Sequence, residues 1–522
     1  MAVDGHQVHG QDIPWLLRHW AQHRPEHPAL VWEPGDGGEV RTWTYADLER
    51  ETLRVAAGLS GRGIGRGDKI LVHADNCPEM VFAWLACATV GAVAVTTNTH
   101  ATASEIAYFA AQTESVAAIT QPHYTEAVAA SGAELGWVAV IGADAPEAAS
   151  ATPHIPFADL QGDPEAWAGR EIEPLLPFGI MFTSGTTSRP KGVVHTHANA
   201  VWAGRSGPRS IDLTADDRYL IYLPFFHVNA QSWSFFSVLG VGATAVLMPK
   251  WSTSRFWDVV VRHEITHISL MPFAMGTLAA KDRPASKLRV GVFGMVNTML
   301  DKMLGLKVYG AYGMTETVIH AVTGKPSEHL PAKSMGRPAP GYTIKIVDPE
   351  TGAECGVGEQ GELWLKAERG VQLFLEYYGN AEATEKAFQG EWFRTGDMVV
   401  LGEGGNVFYR ERDKDLLKVG GENVSAREVE DVVGSVAGVG SVAVVGKQHE
   451  FLSEVVVAFV IKNAAAPDEA ALEKTILELC RERLSDFKVP RAVYFVDAFP
   501  LGTLDKVLKK ELRTMADERP AV

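Results

Sequence analysis

KILVHADNCPEMVFAWLACATVGAVAVTT (residues 69–97) is read as a strand, a buried helix and a second strand. KILVHA (69–74) has the apolar, β-branched content of a strand. The apolar run 80–95 is too short to span a bilayer, and Gly91 interrupts it. The helix therefore ends near that glycine and runs into a strand, AVAVTT (92–97). Outward from this unit the texture repeats. AAITQ (117–121), VAVIGA (138–143) and ATAVLMP (243–249) read as strands, and 45–59 and 104–114 have helical spacing. Strand alternating with helix predicts parallel, doubly wound sheets.

After Pro338 short strands separated by Gly, Pro and Asp take over: YTIKIVDPETG (342–352), GELWLKA (361–367) and NVFYRERD (406–413). That pattern predicts a mixed or antiparallel β subdomain. A second change falls at 410–415. Beyond it SAREVEDVVGSV (425–436), VAVVGK (442–447), VVVAFVIK (455–462) and EAALEKTILELCRERL (469–484) form an α/β unit of about a hundred residues, a usual domain size. The alanine-rich stretch 142–152 is read as a surface loop.

The chain has 522 residues, enough for several folding units and for a large core without staples. Its 48 basic and 64 acidic residues give a net charge of −16 with no Lys/Arg-rich run, which argues against a nucleic-acid partner. Cys77, Cys87, Cys355 and Cys480 have neither zinc-site nor Cys-x-x-Cys spacing and read as small buried hydrophobes that need no oxidising compartment. MAVDGHQVHGQDIPW (1–15) lacks the basic start and apolar stretch of a signal peptide, and no segment is long enough for a membrane span, so the expected compartment is the cytoplasm. Oligomeric state is left open, a homo-oligomer included.

Four segments carry chemistry. In MFTSGTTSRPKGVVHTH (181–197) a strand leads into small hydroxylated residues and glycine, whose backbone can wrap a polyanion, with Lys191 adding a point charge. It is not a Walker loop, because Gly192 follows the lysine. In VYGAYGMTET (308–317) Tyr312 could stack on a base, and Glu316 could hold magnesium, which takes one or two carboxylates together with phosphate oxygens. Asp397 sits in a Thr–Gly–Asp turn where its carboxylate could accept both ribose hydroxyls, and Arg412 follows fifteen residues later. Lys506 stands in a polar loop before an amphipathic stretch whose Lys509, Lys510 and Arg513 read as a solvated face. Taken singly, each segment also fits an ordinary turn or surface residue.

Together and in this order, TSGTT-x-x-PKG, YGMTE, TGD and the Lys506 loop resemble the signature motifs of the adenylate-forming superfamily: acyl-CoA synthetases, peptide-synthetase adenylation domains and firefly-type luciferases. The resemblance runs from TWTYADLERETLRVAAGLSGRGIGRGDKI (42–70) to Lys506. It implies a large N-terminal domain (1–412) of two doubly wound α/β subdomains and a small β subdomain. A smaller mobile α/β domain (413–522) would follow, hinged near Lys414. It also implies a two-step reaction: a carboxylate attacks the α-phosphate of ATP with magnesium, releasing pyrophosphate, and a thiol, usually that of coenzyme A, then takes the acyl group.

By the same resemblance Thr183, Ser184, Gly185, Thr186, Thr187 and Lys191 form the loop over the β- and γ-phosphates. Gly310, Ala311 and Tyr312 flank adenine, Thr315 lies at the α-phosphate and Glu316 at magnesium. Asp397 binds the ribose, Arg412 a ribose or phosphate oxygen, and Lys506 bridges the attacking carboxylate and the α-phosphate. His227, Val228 and Asn229 in LPFFHVNAQSWSFF (223–236) line the acyl pocket with Gly313 and Met314, His227 lying near the substrate carboxylate. Lys418, Gly420 and Gly421 border a coenzyme A channel, the glycines at a strand edge. No Asp lies within 223–236 to pair with an ammonium, so the expected acid is largely apolar and has no α-amine. Departures from the pattern are Ser188 in place of glycine, VFGMVNTML (292–300) in place of a Gly–Gly–Ala–Pro turn, Glu411 before Arg412 and Asp505 before Lys506. The expected activity is an acid–CoA ligase. Loading of a carrier protein and a non-catalytic binding relative are the alternatives.

Overall fold

The computed structural model describes residues 7–35, 37–142, 151–183, 190–271, 274, 278, 283–410, 416–500 and 507–520. Strand Lys69–His73, helix Pro78–Val90 and strand Val93–Thr96 form the expected unit. The strands pair in parallel, Ile70 opposite Ala94 and Val72 opposite Thr96. Pro78 opens the helix where its missing N–H costs nothing, and Gly91 closes it in the left-handed conformation at φ +83°. The helix is apolar all round because it lies between two subdomains. Trp84 meets Phe178 on one side and Phe225 and Phe235 on the other, ring edge to ring face.

The first sheet runs His154–Pro156, Val138–Val140, Ala117–Thr120, Lys69–His73, Val93–Thr96, Pro177–Thr183, Lys191–Thr196. Its neighbours are parallel except the last pair, which is an antiparallel hairpin. The second sheet is parallel through Thr244–Leu247, Arg218–Ile221, His267–Ser269, Val290–Phe293 and Lys307–Tyr312. It then continues without a break through Val322–Thr323 and Ser334–Pro338 into the antiparallel strands Val407–Tyr409, Trp392–Leu401, Gln360–Lys366 and Thr343–Val347. The β subdomain is thus present as expected, but hydrogen-bonded to the second sheet, a continuity that local texture does not reveal.

The C-terminal unit is a sheet of Glu422–Ser425, Leu416–Val419, Ser453–Lys462 and Val439–His449, with Ala492–Phe495 parallel to Ser453–Lys462. Alternation along the strands builds two cores. Val444, Val456, Ala458 and Val460 face helices Ala426–Gly434 and Glu469–Arg483, while Ala443, Val445, Val457 and Phe459 face helix Lys509–Asp517 through Leu512 and Ala516. Lys510 is exposed as expected, but Lys509 is not a solvated residue: its Nζ reaches Glu430 at 2.6 Å in a largely buried pair. Cys77, Cys87 and Cys480 are buried, whereas Cys355 is partly exposed. Among the described residues no helix is long and apolar enough to cross a membrane.

Candidate active site

Strands Pro177–Thr183 and Lys191–Thr196 place Thr183 directly opposite Lys191, so the hydroxyl-rich segment is the connection of a hairpin. Ser184, Gly185, Thr186, Thr187 and the departing Ser188 lie outside the described residues. Lys191 Nζ stands 4.7 Å above the Tyr377 ring, and the Tyr377 hydroxyl donates to Glu316 Oε1 at 2.8 Å. Burial lowers the pKa of Lys191, and the Glu316 carboxylate pulls it back up. Residues from two distant motifs are thus drawn around a tyrosine that the motifs do not contain. Tyr377 is placed by backbone pairing: Leu375 N–H donates to Val194, Val194 to Glu376, and Tyr378 to Gly192. Its only mark in the sequence is a pair of tyrosines before Gly379.

Strand Lys307–Tyr312 carries Gly310, Ala311 and Tyr312. The buried Tyr312 hydroxyl donates to Asp397 Oδ2 at 2.7 Å, and Asp397 N–H donates to Thr395 Oγ1 at 3.1 Å. The Tyr312 ring and the Asp397 carboxylate are therefore fixed to each other. The Thr315 carbonyl accepts from His195 Nε2 at 2.7 Å, and burial pushes His195 down to about 4, so its imidazole is neutral at pH 7. Immediately after the turn Thr315–Thr317, Val318 takes φ +65° and ψ −55°, with Ile319 N–H donating to Thr317 at 2.6 Å. A β-branched residue at the centre of such a γ-turn is strained, and the strain abuts Glu316.

His227 and Val228 precede an eight-residue helix, Asn229–Phe236, wound with π geometry, a form frequent at functional sites. Trp233 covers Gly313, where a Cβ would lie 2.7 Å from the indole. The Met314 sulfur lies 3.8 Å from the Tyr312 hydroxyl. Trp233 packs edge-on against His320 at 4.6 Å, and burial holds His320 down at about 3, hence neutral. His320 belongs to none of the motifs.

The C-terminal unit meets the large unit at His227. His227 Nε2 lies 3.0 Å from Glu422 Oε1. Burial opposes charge on both groups, but each stabilises the other's charged form, so the imidazole pKa is raised and the carboxylate pKa lowered. Gly420 and Gly421 are not a strand edge. They form the two-residue turn between Leu416–Val419 and Glu422–Ser425, with φ +61° and +96°, the left-handed pair that a tight hairpin requires. A Cβ on Gly421 would lie 2.9 Å from Met271 Cε of the large unit. Lys418 Nζ lies 4.7 Å over the Tyr409 ring. Glu422 and Met271 were missed by motif reading, because their roles depend on how the two units meet. Arg412, Lys414 and Lys506 lie outside the described residues.

Among the described residues no three His, Cys, Asp or Glu side chains gather as a metal cluster. A single buried carboxylate beside a lysine, Glu316 with Lys191, suits magnesium, whose remaining oxygens ordinarily come from phosphate and water.

The profile of the AMP-binding enzyme family matches residues 17–378, and that of the AMP-binding enzyme C-terminal domain matches residues 428–506. A crotonobetaine/carnitine–CoA ligase of Citrobacter koseri is 31% identical over 525 residues, taking in 97% of this chain and 99% of that one. A double mutant of o-succinylbenzoate CoA synthetase from Bacillus subtilis, bound with a product analogue, aligns at TM-score 0.80 and 28% identity, covering 97% of this chain and 98% of that chain. The same synthetase in complex with ATP and magnesium aligns at TM-score 0.68 and 27% identity, covering 95% and 98%.

Proposed function

The chain belongs to the AMP-binding enzyme family, in its acyl-CoA synthetase branch, and from that premise we propose which of its residues carry each half of the reaction and which class of acid it takes. It is an ATP-dependent, AMP-forming acid–CoA ligase. A carboxylate oxygen attacks the α-phosphorus and the bond to the β-phosphate breaks, releasing pyrophosphate. The thiol of coenzyme A then attacks the acyl carbon, and AMP leaves. The observation that carries the residue assignment is the Lys191–Tyr377–Glu316 group at the base of the phosphate hairpin.

In this reading Thr183 to Thr187 and Lys191 hold the β- and γ-phosphates, and Thr315 lies at the α-phosphate. Tyr377 keeps Glu316 aimed at the position of magnesium, which when bound would supply neutralisation of phosphate charge. Tyr312, with Gly310 and Ala311, borders adenine and orients Asp397 toward the ribose hydroxyls, while Arg412 takes a neighbouring oxygen. Lys506 offsets the negative charge that the carboxylate and the α-phosphate bring together. This is phosphoryl chemistry by positioning and charge neutralisation. The chain divides at 412/413 and turns on Lys414. Greater likeness to the product-analogue complex than to the ATP complex supports reading the present arrangement as the thioester-forming one. In it Glu422 occupies His227, and the hairpin turn at Gly420 and Gly421, with Lys418, borders the thiol's path.

The acid is largely apolar and lacks an α-amine. Val228, Trp233, Met271 and Met314 support this, together with the engagement of Glu422 by His227, which leaves that carboxylate unsuited to an ammonium. The enzyme works in the cytoplasm, a reading supported by four free thiols. Pyrophosphate release across fatty, aryl, alicyclic and amino acids tests the substrate class. Turnover with the first three is expected, and turnover with amino acids alone would overturn it.

A further inference from the structure

Where the two units meet, they share a buried charge cluster. Lys488 Nζ lies 2.5 Å from Glu105 Oε1 and 2.9 Å from Glu428 Oε1, and the Ser485 hydroxyl donates to Glu105 Oε2 at 2.8 Å. The three charged residues are only 5 to 8% exposed. Glu105 belongs to helix Ala103–Thr113 of the large unit, and Lys488, Ser485 and Glu428 to the small one. We propose that Glu105 and Lys488 are positioning residues for thioester formation, forming a clamp that docks the small domain in that arrangement only. This rests on the ligase reading above.

The Lys488–Glu428 contact lies within the small domain and travels with it. The contact to Glu105 cannot survive a rotation of that domain. Undocked, Lys488 and Glu428 become a hydrated surface pair at little cost. Docked, an ammonium is shut between two carboxylates, and its burial is tolerable only while both ion pairs hold, the more so because Glu428 Oε2 has no hydrogen-bond partner of its own among the described residues. Such a cluster acts through register more than strength, since a face of the small domain without Lys488 would leave Glu105 buried and unpaired. The His227–Glu422 contact holds the same domain against the large unit, so two contacts between the units fix its orientation. Glu105 also accepts from the Thr102 N–H at 2.9 Å, so a glutamine there can keep the helix start.

The test compares half-reactions in Glu105→Gln and Lys488→Met, using whichever of a fatty, aryl and alicyclic acid panel gives the wild type its fastest pyrophosphate release. Pyrophosphate release is expected to stay within about twofold of wild type, while thioester formation from supplied acyl-adenylate falls about tenfold or more. The double variant, which removes the unpaired charge, is expected to recover part of that loss. An equal fall in both half-reactions, as from general destabilisation, overturns the clamp. So does an unchanged thioester rate in Lys488→Met. A wild type that releases no pyrophosphate with any acid overturns the ligase reading itself, and the clamp's role with it.

Discussion

The nucleotide side and the acyl side of the site are built differently. On the side proposed for the nucleotide, Tyr312 with Asp397 and Tyr377 with Glu316 are buried pairs drawn wholly from the large domain, joined at 2.7 and 2.8 Å. On the acyl side His227 and Met271 are met by a hairpin from the other domain, through Glu422 and Gly421. The first is a preorganised binding surface. The second is assembled by docking. In the proposed reading the residues that hold ATP stay still while the small domain exchanges what it presents to the reacting carbon, a hinge motion of the usual kind.

The sharpest way to break this contrast is Lys506→Ala. It is expected to lower pyrophosphate release by about a hundredfold or more, the scale of removing one stabiliser of transition-state charge. Thioester formation from supplied acyl-adenylate should stay near wild type, and equal damage to both would join what the account separates. Tyr377→Phe probes the preorganised side. Removing the hydroxyl takes one hydrogen bond from the buried Glu316 carboxylate, so pyrophosphate release should fall by about tenfold, with a higher magnesium requirement and little change in the thioester step. The smallest effect concerns pH on the assembled side. The raised pKa of His227 means that its share of the docking contact is whole below the ordinary imidazole range and fades as pH rises through the raised value. The lowered pKa of Glu422 means that its share is whole above the ordinary carboxylate range and fades as pH falls through the lowered value. His227 is partly exposed, so the expected change is about a few-fold in thioester rate across the alkaline limb, and Glu422→Gln should flatten it.

The fold was legible where punctuation and periodicity coincide. Gly91 after an apolar run marks the helix end, whereas the two faces of strands 439–449 and 453–462 were not legible, because both are apolar and both are buried. Candidate residues were legible where motifs cluster, as with Glu316 and Asp397, although their roles came from resemblance and not from spacing. Tyr377 was not legible, because its place at Lys191 arises when segment 374–378 pairs with strand Lys191–Thr196. Glu105 was hidden differently. With Thr102 it completes a helix start, which accounts for it locally, while its partner Lys488 lies 383 residues away. The glycine turn at 420–421 was misplaced as a strand edge because two glycines fit either reading until the pairing of Lys418 with Asn423 is seen.

The central claim is that one site adenylates an acid and then, after the domains exchange, passes it to a thiol. The most direct measurement mixes enzyme with ATP, magnesium and an accepted acid, first without coenzyme A. The account predicts a burst of pyrophosphate of about one per enzyme molecule, which stops with acyl-adenylate held on the enzyme and resumes as steady turnover to acyl-CoA and AMP when coenzyme A is added. Pyrophosphate that appears only after coenzyme A is added, with no burst before it, would contradict the account.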